Sequence, residues 1–197
     1  MPRTEAMAVL AAVVGYALPS VKDEPPRLPP WGYRLLAGAG AGLAVASLAV
    51  FGPTLEGVAA AMFCLALAVV TAADLEYRLI PNRVVLPASV VVVALMTASD
   101  GSPEWALAAL AAGGGLFAVA LVYPAGMGMG DVKLAFLMGA ALGRSVLPAL
   151  MLAMLLAVIP AIALLVHHGR AGRTMGIPFG PFLALGSVVV LFAPSFG

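Results

Sequence analysis

Residues 55–73 read LEGVAAAMFCLALAVVTAA, and Asp74 follows at once. After Glu56 the stretch is free of charge, and about 20 such residues are what an α-helix needs to cross a hydrocarbon core of about 30 Å. Backbone N–H and C=O groups in hydrocarbon find no water, so a segment of this kind satisfies them internally, as helix. The rest of the chain has the same character. Of its 197 residues 63% are hydrophobic and only 10% charged, and the mean hydropathy of +1.10 lies far outside the range of a soluble domain. The fold class predicted is therefore all-α, a polytopic membrane helical bundle.

Working outward from 55–73, further helices are predicted at 6–20, 34–50, 84–97, 104–123, 132–143, 146–167 and 178–194. That makes about eight, in a single integral-membrane domain over 1–197. Residues 1–33 form the first helix and a short linker, and 34–197 form the core. One helix running through 131–166 would be about 54 Å long at 1.5 Å per residue, which predicts a break at Gly143-Arg144-Ser145. Residues 21–32 hold four prolines and read as a stiff connection that does not continue a helix.

With the loops assigned to alternating sides, Lys22, Arg27, Arg34, Arg78, Arg83, Lys133, Arg170 and Arg173 fall on one side and only Arg3 and Arg144 on the other. This bias makes the first side cytoplasmic and puts the N-terminus outside. The cations are scattered, which argues against nucleic acid as a partner. The lone Cys64 rules out an internal disulfide or a CxxC metal site. Adjacent His167 and His168 do not share a helix face, so no metal is predicted, and no cofactor either. The runs Gly38–Gly42 and Gly113–Gly115 suit close helix packing, and Met138, Met151 and Met154 read as core filler.

Three segments interrupt the apolar pattern, all on the side that holds most cations: 74–83 (DLEYRLIPNR), 126–133 (GMGMGDVK) and 176–182 (GIPFGPF). Ionisable residues bordering a membrane helix are expensive and mark function by default. Asp131 opens a predicted helix, where a carboxylate could serve simply as an N-cap. Asp74 closes one, where the macrodipole disfavours an anion, so it calls for a partner or a task. If packing brings the two acids together, repulsion keeps both from ionising at neutral pH, and one holds a proton. A pair in that state can deprotonate a water while protonating a scissile carbonyl. Glu76 reads either as an acid that, with Asp23 and Glu24, borders the site and draws a basic substrate to it, or as a solvated loop residue paired with Arg78 or Arg83. Lys133 reads as a neighbour of the acids or as a side chain snorkelling to the interface.

Taken in order, Asp74 with Ile80-Pro81-Asn82, then Gly128-Met129-Gly130-Asp131-Val132-Lys133, then Ile177-Pro178-Phe179-Gly180-Pro181-Phe182 resembles the prepilin peptidases of bacterial type IV pilus and type II secretion systems. These are GxGD-type membrane aspartic peptidases, and the archaeal preflagellin peptidases share the two-aspartate plan. The resemblance covers residues 74–182. It implies that Asp74 and Asp131 are catalytic, and that Gly128, Gly130, Lys133, Pro81, Asn82, Pro178 and Gly180 support the site or bind substrate. It further implies removal of a short basic leader from a prepilin or pseudopilin precursor. The enzyme would be multi-pass in the bacterial inner membrane, with the lipid bilayer as its surroundings and the site facing the cytoplasm.

Many members carry a cytoplasmic CxxC domain after the first helix and are similar to enzymes that also methylate the new N-terminus. Here residues 21–32 contain no cysteine, so a short form without methyltransferase activity is expected. The competing class is a non-catalytic membrane scaffold or small transporter, whose acids usually lie nearer mid-membrane. Presenilin-like proteases share GxGD but place Tyr before the first aspartate, where this chain has Ala73.

Overall fold

A computed structural model describes residues 12, 13, 16, 28–124, 126–169 and 177–193 of the chain. Among them every regular element is helical: α1 (Pro30–Phe51), α2 (Leu55–Tyr77), α3 (Asn82–Asp100), α4 (Glu104–Val122), α5 (Met129–Leu142), a 3-10 turn (Gly143–Ser145), α6 (Val146–His168) and α7 (Gly180–Leu191). Apart from residues 12, 13 and 16, which are helical, the helix expected at 6–20 lies outside the described residues. Among the described residues five segments are long and apolar enough to cross a membrane, the longest running through Met129–His167. The expected break divides that segment at Gly143, whose φ of +55° is readily adopted by glycine.

Several helix ends differ from the sequence expectation. α1 begins earlier, inside the proline linker, because Pro30 occupies the first turn, where a missing N–H is harmless. α2 runs on past residue 73 to Tyr77 and ends at Arg78, which adopts a left-handed conformation and donates its N–H to the Asp74 carbonyl at 2.9 Å. α5 starts at Met129, so Asp131 lies within the helix. α7 is shorter than expected, at 12 residues.

The helices alternate in direction. Phe51, Glu56, Met96, Trp105, Leu142 and Leu191 gather around one cavity at the far end of the bundle, while residues from 74–82, 128–133 and 177–179 gather around another at the opposite end. α2 and α5 run through the middle, with Phe63, Leu67 and Val70 of the first and Leu134, Leu137 and Met138 of the second fully buried. α6 lies outside. Its Leu147, Met151, Leu155, Ile159, Ile162 and Val166 recur every three or four residues and are each more than half exposed. Such a stripe would be a liability in water and is an ordinary lipid contact in a bilayer. Met151 and Met154 belong to this outer surface, so only Met138 of the three methionines fills the core. One glycine in each small-residue run makes the close contact, Gly40 against Ala68 of α2 and Gly113 against Phe136 of α5.

Candidate active site

Asp74 sits in the last turn of α2 and is only 6% exposed. Its own helix offers it the negative end of a dipole, but α7 supplies the opposite. The Gly180 amide, first residue of α7, donates to Asp74 Oδ2 at 2.7 Å across 106 residues of chain. An anion at a free helix N-terminus meets an unsatisfied N–H and a favourable dipole together. Position 180 also has no room for a side chain, since a Cβ there would stand 2.9 Å from the same oxygen. The acid that looked electrostatically misplaced in the sequence is thus held by a second helix.

Asp131 occupies the third position of α5, whose N-cap is Gly128. The expectation of a plain N-cap is corrected accordingly: Asp131 lies three residues past the N-cap, with its carboxylate within reach of the Gly128 amide. Asp74 and Asp131 face one cavity of about 450 Å³ and lie within Coulombic reach of each other. Helices α2 and α5 therefore bring together two acids that are far apart in sequence.

The three polar segments interlock around this pair. Gly130 rests directly against Ile80, where a Cβ would come within 2.8 Å of the isoleucine Cβ. Lys133 Nζ donates to Asn82 Oδ1 at 2.9 Å, and both side chains line the cavity. Lys133 is therefore engaged with the first residue of α3. Pro81 is fully buried and opens α3, its carbonyl accepting from the Val84 and Val85 amides. Pro178 and Phe179 close the cavity on the α7 side, and Arg78 stands exposed at its edge. Among the described residues no three His, Cys, Asp or Glu side chains gather as a metal would require.

Glu76 corrects both sequence readings of that residue. It is completely buried, accepts the Leu28 amide at 2.9 Å and is hydrogen-bonded by the Tyr33 hydroxyl. It fastens the start of α1 to α2 and is neither a solvated loop residue nor part of the cavity wall. Asp23 and Glu24, the other acids expected to border the site, lie outside the described residues. The role of the Gly180 amide was missed. The available signal was Gly180-Pro181 at a helix start, a bare N-terminus of the kind that binds anions.

The sequence profile of the type IV leader peptidase family matches residues 61–166, more than half of the chain and both aspartates. The chain belongs to the type IV leader peptidase family. Within it, the chain is 30% identical over 167 residues to proteins named prepilin leader peptidase/N-methyltransferase from Burkholderia pseudomallei strains 1026b and K96243, covering 81% of this chain and 54% of each of those. A protein of the same name from Bacillus subtilis strain 168 is 33% identical over 141 residues, covering 71% of this chain and 57% of its own. The chain thus spans about half the length of the curated relatives it matches. No solved structure matches it. The family match ends before residues 177–182, yet Gly180 from that segment is the residue that touches Asp74.

Proposed function

We propose that this chain is a membrane aspartic endopeptidase that removes the short basic leader from type IV prepilin-like precursors. The observation that carries the reading is the convergence of Asp74 and Asp131 on one cavity at one end of a membrane bundle. With a single proton shared between them, the ionised carboxylate takes a proton from a water as its oxygen attacks the scissile carbonyl carbon. The protonated carboxyl gives its proton to the carbonyl oxygen. Collapse of the tetrahedral intermediate breaks the C–N bond, the departing nitrogen takes up a proton, and the leader leaves with a new carboxylate. The amide of Gly180 holds Asp74 throughout without itself changing charge.

The site faces the cytoplasm in this reading, and the membrane is the bacterial inner membrane. Arg34, Arg78, Arg83 and Lys133 lie toward the cavity end of the bundle, against Arg144 at the far end, as the positive-inside rule expects. With Glu76 buried, recognition of the leader falls to other groups around the cavity.

The purified full chain in detergent, mixed with a prepilin encoded in the same genome, is expected to release the leader as a discrete mass loss at one peptide bond. An intact precursor with every co-encoded prepilin would defeat the reading and favour a scaffold or transporter.

A further inference from the structure

A precursor cut at Asp74 has two parts to accommodate. The leader stays in the cytoplasm, while the segment after the cut is an apolar helix that must leave the site into the bilayer. Its path has to begin where lipid-facing surface comes close to Asp74. α2 is the most enclosed of the candidate spans, with 61% of its most apolar window buried. α1 and α7 stand on either side of it and leave a groove of about 180 Å³ over its surface.

That groove points at the site. Its floor includes Ala68 and Thr71 of α2, and its walls include Ala39 and Gly40 of α1 with Pro181 and Leu185 of α7. Thr71 lies three residues before Asp74, about 4.5 Å along the helix axis. Pro181 follows Gly180, whose amide holds the Asp74 carboxylate. The head of the groove is thus within one helical turn of the reacting group. No charged residue lines it, and small residues along its floor and one wall let another helix backbone approach closely, as helices do in lipid. Thr71, near the head, offers a hydroxyl where a substrate chain unwinding toward the cut would expose backbone groups that need partners.

We propose that this groove between α1 and α7 seats the apolar helix that follows the leader in the prepilin substrate, delivering the scissile bond over Asp74. The proposal rests on the peptidase reading above.

Two measurements test it. Ala39 and Leu185 are exposed on opposite walls, so both tolerate substitution. Ala39→Trp and Leu185→Trp are each expected to raise KM for full-length prepilin about 10-fold, or 1.4 kcal/mol. Both should leave kcat unchanged, together with cleavage of a soluble peptide spanning only the scissile bond. In membranes, with Cys64 of the groove replaced by Ala, Ala39→Cys and Leu185→Cys should form disulfides with single cysteines placed along the prepilin helix, at positions recurring every three or four residues. Leu155→Cys, exposed on α6, should form none. Wild-type cleavage with KM unmoved by either tryptophan and no cross-link to prepilin would overturn the groove, leave the peptidase intact and assign the space to lipid. Disulfides between two copies of the chain would overturn it in favour of self-association. Absence of cleavage by the wild type would be failure of the peptidase reading itself.

Discussion

At the far end of the bundle Glu104 and Arg144 meet at 2.9 Å with 35% and 87% of their side chains exposed, and Asp100 accepts from the Ser102 amide and from Trp105 Nε1. At the cavity end Asp74 is almost wholly enclosed, and its hydrogen-bond donor is a backbone amide. Acids stand at helix ends in both places, under different physics. An exposed acid paired with a flexible arginine is screened, and the pair contributes little. A buried acid bound to a fixed neutral donor is oriented, with Arg78 acting on it only through space from the cavity edge. The first arrangement ties loops together; the second leaves an acid free to exchange a proton in place.

Substitutions at the two ends should separate these roles. The largest effect of this kind is expected from Gly180→Val, which pushes a side chain against Asp74 Oδ2 and displaces the amide. Loss of a hydrogen bond to a charged group is worth about 1.5–3 kcal/mol, so kcat/KM for prepilin cleavage should fall about 10- to 100-fold. Activity close to wild type would mean that the α7 amide does not position Asp74. A smaller effect is expected from Asn82→Ala, which removes the acceptor of Lys133 and loosens the junction between the start of α3 and α5. A loss of about 5-fold in kcat/KM corresponds to one modest hydrogen bond of about 1 kcal/mol, and an unchanged rate would detach that junction from the chemistry. Arg144→Ala should do least. Thermal unfolding in detergent should register a change within about 0.5 kcal/mol, with cleavage unaltered; a marked loss of activity would show that the two ends are coupled.

Most of the architecture is legible in the sequence because bilayer crossing demands long apolar runs, and the turn at 143–145 follows from length alone. The helix ends around the site are less legible for a reason visible in Asp74 and Glu76. The run Asp-Leu-Glu-Tyr-Arg reads as polar loop, but both acids are buried by other elements, and that burial carries α2 on to Tyr77. No local signal requires Arg78 to be left-handed. The acids themselves are conspicuous as charges bordering apolar helices. Their partners are less so, because Gly180 reaches Asp74, and Leu28 and Tyr33 reach Glu76, only through tertiary packing.

The central claim is that Asp74 and Asp131 act as one unit, and the most direct measurement is a double-mutant cycle on prepilin cleavage with Asp74→Asn, Asp131→Asn and the double variant, each checked for folding. Residues that share one proton are grossly non-additive. Each single variant should lose at least about 10³-fold in kcat/KM, and the double variant should lose no more than either. Appreciable activity in one single variant, or losses that multiply in the double, would contradict a shared dyad.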